Sequence, residues 1–174
     1  MLIFPFQEEA LYIGKIEIEL GAALAPMAGV TDFTMRGLCA RYGATFTVSE
    51  MVSAKALTMK DRKSLRLLRG RGGSAPYGVQ LFGYEPELLP AAIAQIEAED
   101  YDFLDLNMGC PAPKIVGHGA GSGLLRNPAL AGALAEAAVK ASKKPVTAKM
   151  RIGWDDTTRT GTEVAQRCEA AGVQ

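Results

Sequence analysis

Short apolar runs alternate with longer amphipathic segments along most of the chain. Strict alternation of apolar and polar residues over 12–20 predicts a surface strand or hairpin. Later apolar runs predict buried strands at 22–25, 45–48, 77–82, 103–106 and 146–150. Each is followed by helical spacing, which predicts helices over 33–42, 53–68, 85–99, 128–142 and 160–171. Asp32 is suited to cap the first helix and Gly43 to end it. Five successive strand–helix units predict a parallel sheet with helices outside it.

Two architectures fit this alternation, a doubly wound open sheet and a (β/α)8 or TIM barrel. A dinucleotide-binding doubly wound sheet carries Gly-x-Gly-x-x-Gly after its first strand, whereas this chain has PMAGV there, at 26–30. Polar residues stand instead at the C-terminal ends of several strands, which is typical of TIM-barrel active sites. We therefore predict an α/β fold, a TIM barrel truncated to about its first five βα units, with residues 1–174 as the N-terminal part of a longer catalytic domain.

Composition and cysteine usage narrow the class of protein. Apolar residues make up 48% and charged residues 22% of the 174, and 19 basic side chains balance 19 acidic ones, which excludes a disordered chain. No apolar run approaches the roughly 20 residues of a membrane helix, and we expect neither a signal peptide nor membrane association. The three cysteines, Cys39, Cys110 and Cys168, are too far apart for a disulfide framework or a metal cluster. We expect a cytoplasmic protein without a bound metal.

The balanced total hides an uneven distribution of charge. The segment 55–71 contains seven basic residues and a single acidic one, Asp61, whereas 72–113 contains seven acidic residues and no basic one. A local positive surplus suits a phosphate backbone, and a solvated helix face explains it equally well from sequence alone.

The sharpest candidate chemistry lies in the segment 105–114, DLNMGCPAPK. A predicted strand delivers Asn107, and a tight turn follows in which Gly109 permits an unusual backbone angle. Cys110 stands on that turn, where a cysteine can act as a nucleophile, as a proton donor or as packing.

The surroundings of Cys110 favour proton donation. His118 is the only histidine of the chain, so a nucleophile–base pair would depend on that one residue. Donation of a proton by the thiol needs no such partner. The glycine-rich stretch 117–123 predicts a mobile lid over the site, with an ordinary surface loop as the alternative.

A second polar segment, TAKMR at 147–151, lies on the last predicted strand. Strand alternation directs Lys149 and Arg151 into the barrel or its mouth. A buried ammonium is stable only beside an anion, and the N1–C2=O edge of a reduced flavin is such an anion. Gln80 offers a donor and an acceptor suited to a flavin pyrimidine edge, and a strand-end hydrogen bond to backbone explains Gln80 equally well.

Taken together, these segments resemble the tRNA-dihydrouridine synthases, which are FMN-dependent (β/α)8-barrel enzymes, and among them the bacterial general branch. The matching stretches follow the family's order and approximate spacing. They are LAPMAGVTD at 24–32, SEM at 49–51, VQLFG at 79–83, DLNMGCPAPK at 105–114 and AKMR at 148–151.

The resemblance implies a reaction and roles in it. NADPH reduces FMN, FMN delivers hydride to C6 of a uridine in tRNA, and Cys110 as general acid protonates C5. The uridine must leave its stack to reach the barrel mouth. The implied FMN-binding residues are Pro26, Met27, Ala28, Gln80 and Lys149, and the implied substrate-binding residues are Asn107 and Arg151.

The resemblance also implies parts that these residues do not include. We expect the remaining barrel strands and the family's C-terminal helical tRNA-binding domain to lie outside residues 1–174. The piece alone is then expected to be inactive, to bind FMN weakly or not at all, and to self-associate through exposed sheet edges. Two alternative interpretations are another FMN-dependent TIM-barrel oxidoreductase of the dihydroorotate dehydrogenase kind, and a non-catalytic barrel fragment.

Overall fold

The computed structural model of the protein describes residues 11–68 and 70–174. The first ten residues, which bear on the expected absence of a signal peptide, lie outside the described part. An antiparallel hairpin precedes one parallel sheet. The strands are β1 (Leu11–Ile13), β2 (Ile16–Ile18), β3 (Thr47–Ser53), β4 (Tyr77–Phe82), β5 (Phe103–Met108) and β6 (Val146–Met150).

Helices follow the parallel strands, as the apolar spacing predicts. They are α1 (Phe33–Arg41), α2 (Ala54–Thr58), α3 (Arg62–Leu67), α4 (Leu89–Ile96), α5 (Pro113–Val116), α6 (Pro128–Ala141) and α7 (Gly161–Ala170), with 3-10 turns at Pro86–Leu88 and Gly121–Arg126. Among the residues that the structure describes, no helix combines the length and apolar character needed to cross a membrane.

Capping residues set the helix boundaries. Asp32 begins α1, because its side chain accepts a hydrogen bond from the Met35 N–H at 2.8 Å. The helical segment predicted over 53–68, for which the sequence leaves one helix or two pieces open, is divided in two at Lys60, whose φ of 54° is left-handed. Asp61 then caps the second piece by accepting from the Ser64 N–H at 2.8 Å.

The sheet confirms the predicted α/β fold as part of a TIM barrel. Its four strands run parallel in the order β3-β4-β5-β6, the same as their order in the chain. The strand predicted at 22–25 is reduced to a bridge between Leu24 and Thr47, supported by hydrogen bonds from the Leu24 N–H to the Phe46 carbonyl at 3.0 Å and from the Thr45 N–H to the Ala22 carbonyl at 2.9 Å. Pro26 follows directly and has no N–H for a ladder, which keeps this edge short.

Alternation along the strands separates a helix-facing core from an inner face. Val79 and Leu104 point outward into the main apolar core beneath the helices. At the N-terminal end of the sheet, Phe103 packs with Ile13 and Ile18 of the hairpin in a second apolar cluster. The inner face is therefore apolar at its N-terminal end, which leaves the C-terminal end for polar side chains.

Candidate active site

A hollow of about 240 Å³ lies at the C-terminal ends of the parallel strands. Met51, Gly109 and Pro111 form part of its wall. The remaining lining residues are seven of the eight predicted site residues, namely Pro26, Ala28, Gln80, Asn107, Cys110, Lys149 and Arg151. Cys110, on the turn after β5, and Lys149, on the neighbouring strand β6, thus line one cavity.

Met27, the eighth predicted residue, does not line the hollow, and 43% of its surface is exposed. It belongs to a tight loop in which its carbonyl accepts from the Thr31 N–H at 3.0 Å, and its N–H donates to Thr31 Oγ1 at 3.1 Å. The same loop contains Gly29, whose φ of 75° favours glycine. The Gly29 N–H donates to Glu50 Oε1 at 2.5 Å, so β3 holds the loop that carries Pro26 and Ala28.

A chain of side-chain hydrogen bonds crosses the inner face below the hollow. Gln80 Nε2 donates to Asp105 Oδ2 at 2.6 Å, and Thr147 Oγ1 donates to Asp105 Oδ1 at 2.6 Å. Asn107 Nδ2 donates to Gln80 Oε1 at 2.8 Å. The sheet register explains the chain, because Asp105 lies opposite both Gln80 on β4 and Thr147 on β6.

The same chain reaches the turn that carries the cysteine. Asn107 Oδ1 accepts hydrogen bonds from the N–H groups of Cys110 at 2.9 Å and Gly109 at 3.2 Å. Arg151 Nε donates to the Gly109 carbonyl at 2.7 Å, and the Ser122 N–H donates to the Cys110 carbonyl at 2.9 Å. The backbone on either side of Cys110 is therefore fixed, while the residue is half-buried and lines the hollow.

Charge in the site is divided between a buried carboxyl and open cations. Burial raises the pKa of Asp105, against the opposing effects of the hydrogen bonds from Thr147 and Gln80 and of the nearby Lys149 charge. Lys149 itself is exposed and lines the hollow. It stands on β6 at the border of the described sheet, where solvent reaches it through the hollow.

The sequence pattern assigned no role to Ser49, Asp105 or Thr147. Ser49 is fully buried and its hydroxyl accepts the Gln80 N–H at 3.0 Å, which fixes the backbone beneath the Gln80 side chain. An acidic residue inside an apolar strand is the one signal that could have identified Asp105. Asn107, predicted to bind substrate, uses its carbonyl oxygen and one N–H within the protein, which makes it a brace for the turn.

The predicted mobile lid at 117–123 is wrong for its second half. Residues from Gly121 onward form a 3-10 turn, and Gly121–Leu125 are buried. Gly121 has a φ of 58°, and a Cβ there would lie 2.6 Å from the Cys110 carbonyl, so close packing requires glycine. The ring of His118 stacks on Tyr84 at a separate cavity of about 450 Å³. Cys110 does not line that cavity, so His118 is not positioned there as a base for its thiol.

Acidic neighbours neutralise part of the basic segment 55–71. Lys55 pairs with Glu85 at 3.1 Å. Arg71 pairs with Asp100 at 2.7 Å and with Asp102 at 2.5 Å. Within the described residues, the exposed cations without such a partner on α3 are Arg62, Lys63 and Arg66.

Fold and site together define a protein of the TIM-barrel class with its polar centre at the C-terminal strand ends. In the part of the chain that the structure describes, no three His, Cys, Asp or Glu side chains converge as a metal site would need. A family model described as "Dihydrouridine synthase (Dus)" matches residues 23–174. The chain belongs to this family.

Curated relatives carry related names. A probable tRNA-dihydrouridine synthase of Rickettsia prowazekii is 46% identical over 165 residues, which cover 93% of this chain and 50% of the relative. The corresponding protein of Rickettsia conorii is 44% identical, with 93% and 49% covered. The tRNA-dihydrouridine synthase B of Pseudomonas aeruginosa is 43% identical over 162 residues, again with 93% and 49% covered. The chain spans about half the length of the curated relatives it matches.

Proposed function

We propose that the whole protein reduces uridine to 5,6-dihydrouridine in tRNA, with FMN as its resident cofactor, NADPH as the reductant and the cytoplasm as its location. Residues 1–174 are then the N-terminal part of the catalytic barrel. The observation that carries the proposal is the hollow that Cys110 and Lys149 share in a chain of this family. The relatives' names, which specify tRNA and dihydrouridine, support the substrate.

The donor set of the hollow fits a flavin. Lys149 supplies a positive charge, Gln80 retains one unshared N–H, and the loop of Pro26 and Ala28 supplies backbone at the wall. A flavin pyrimidine edge presents carbonyl oxygens and carries negative charge when reduced, which matches these donors. When bound, FMN supplies the hydride that adds to C6 of the uracil ring.

The remaining half of the reduction falls to the protein. Hydride addition at C6 leaves an electron pair shared between C5 and the O4 carbonyl of the substrate. The Cys110 thiol donates its proton to C5, a C–H bond forms, and the resulting thiolate regains a proton from solvent. The bonds from Asn107 and Arg151 hold the backbone of the Cys110 turn, so the thiol is oriented before substrate arrives.

The RNA contact is proposed for the exposed face of α3. Arg62, Lys63 and Arg66 are exposed there and are suited to sequence-independent contacts with phosphates. The target base must be extruded from its stack to reach the hollow.

The test uses the whole protein with unmodified tRNA, FMN and NADPH. We expect a yellow protein, loss of uridine and formation of dihydrouridine, measured by mass spectrometry of digested tRNA. The 174-residue piece in parallel is expected to bind FMN weakly or not at all and to give no product. Oxidation of dihydroorotate with tRNA left unchanged would support the other oxidoreductase class, and a colourless protein inert toward both would support a non-catalytic module. The family match favours the dihydrouridine synthase.

A further inference from the structure

The carboxyl group of Asp105 has no part in the proposed chemistry. It is 5% exposed and lies in the middle of β5 among apolar residues. We propose that Asp105 is a positioning residue, which sets the direction of the hydrogen-bond chain that runs through Gln80 and Asn107 to the Cys110 turn. The consequence for catalysis rests on the proposed function, whereas the direction of the chain does not.

Hydrogen-bond polarity carries the argument. An ionised carboxylate only accepts hydrogen bonds, so the Gln80 amide must turn its Nε2 toward Asp105. The Gln80 Oε1 is then the atom that faces Asn107. Because this oxygen is an acceptor, Asn107 must donate to it with Nδ2. Asn107 Oδ1 is thereby directed at the N–H groups of the Cys110 turn, which can only donate. The Asp105 carboxyl at one end and the backbone N–H groups at the other thus require the same orientation of two amides, each of which has nearly the same shape when flipped.

Burial makes this control necessary. Gln80 is 1% exposed, so water cannot readily satisfy an amide that has turned the wrong way. Thr147 donates to the second oxygen of Asp105, so both carboxyl oxygens already act as acceptors. Burial raises the pKa of Asp105, and the two hydrogen bonds and the nearby Lys149 charge oppose part of that effect. A buried carboxyl with only neutral hydrogen-bond donors is costly for folding, which favours a role for Asp105 in the site.

The fixed direction determines what the hollow offers a ligand. Gln80 and Asn107 each keep one amide N–H outside the chain, and Lys149 adds an ammonium. All three groups are donors, so the hollow selects an edge rich in acceptors. Reversal of the Gln80 amide would present a carbonyl oxygen to the same edge and repel it.

The test compares Asp105→Asn with the wild-type whole protein. Asparagine has the same shape but can donate to Gln80 Oε1 and so permits the flip. We expect FMN affinity to fall about tenfold, the absorption band of bound FMN to shift, and alkylation of Cys110 to accelerate about threefold or more relative to Cys39 as the turn loosens. Thr147→Val, which removes only one donor, is expected to change each quantity in the same direction by less. Asp100→Asn, an exposed carboxyl outside the chain, is the control.

The outcomes separate this inference from the proposed function. Circular dichroism establishes whether each variant is folded. If Asp105→Asn does not fold, Thr147→Val provides the test in its place. Unchanged FMN affinity and Cys110 alkylation in the folded variants, with a wild type that binds FMN, would overturn the role of Asp105 alone. A wild type that binds no FMN would overturn the proposed function, whereas the effect on Cys110 alkylation would still test the chain.

Discussion

The two ends of strand β5 carry acidic residues in opposite settings. At the entry, Asp102 accepts from Arg71 and from the Tyr77 N–H at 2.8 Å, and Asp100 lies beside it on the surface. Towards the exit, Asp105 is buried and its side chain bonds only to neutral donors. The entry residues join the sheet to the segment before β4, and the exit residue orients the walls of a cavity.

The contrast indicates which charges serve the fold and which serve the site. A carboxylate that is paired with arginine near solvent adds modestly to stability. A carboxyl buried among neutral groups opposes folding unless its neighbours need it. In a TIM barrel, residues at the N-terminal ends of the strands are expected to stabilise the fold, and residues at the C-terminal ends to form the active site. Strand β5 shows this division within one strand.

The largest expected effect on activity is at the C-terminal end of β5. Cys110→Ala in the whole protein removes the proposed proton donor, and we expect turnover with tRNA to fall by about 10² to 10⁴-fold. FMN affinity is expected to stay within about twofold of wild type, because the thiol does not hold the flavin in this account. Cys39→Ala, on α1, is the matched control. Turnover of Cys110→Ala close to that of wild type would remove the thiol from the mechanism.

Lys149→Met sharpens the comparison at the same end. Loss of the ammonium is expected to weaken FMN binding about tenfold or more, measured by quenching of flavin fluorescence. Lys149→Arg keeps the charge and should recover part of the affinity. Equal affinity in all three proteins would place the flavin away from β6.

Asp102→Ala tests whether the acidic residue at the N-terminal end of β5 stabilises the fold. It leaves the Tyr77 N–H and part of the Arg71 guanidinium without an acceptor, and we expect the free energy of unfolding to fall by about 1–2 kcal/mol. Urea titration measures this, and FMN affinity of the folded variant should be unchanged. A stable variant that has lost FMN affinity would reverse the roles assigned to the two ends.

The smallest effect is a pair of opposite pH dependences. Arg71 lowers the pKa of Asp100 below its ordinary 3.8, so its stabilisation is present at neutral pH and is lost on acidification. Burial raises the pKa of Asp105 above 3.8, so its contribution is full below that pH and is lost as pH rises through the folded pKa. Thermal unfolding from about pH 3 to 7 should show that the stability of Asp105→Asn relative to wild type increases as pH rises. Asp100→Asn should fall behind wild type over the same range, and parallel curves would contradict both assignments.

Most residues of the candidate site follow from the positions of the strand ends in the sequence. Parallel strands place their C-terminal ends at one edge of the sheet. Gln80, Asn107 and Lys149 therefore converge there, once the strands and the face to which each residue points are predicted correctly. Met27 lies outside the hollow because the loop after residue 25 closes on itself through Thr31, which no periodicity indicates.

Other features depend on contacts between distant parts of the chain. Glycines suit a mobile lid and a tightly packed turn equally, and only the approach of Gly121 to the Cys110 carbonyl distinguishes them. The pairing of Arg71 with Asp102 joins residues 31 positions apart, so the basic segment appeared more open than it is. The Asp105 chain follows from sheet register, which a single strand's pattern does not contain.

The most direct test of the central claim is a crystal structure of the whole protein with FMN and a short uridine-containing RNA. We expect the flavin ring in the hollow with its pyrimidine edge at Lys149 and Gln80, and the uracil between the ring and the Cys110 sulfur. A flavin bound elsewhere, or a uracil out of reach of that sulfur, would contradict it.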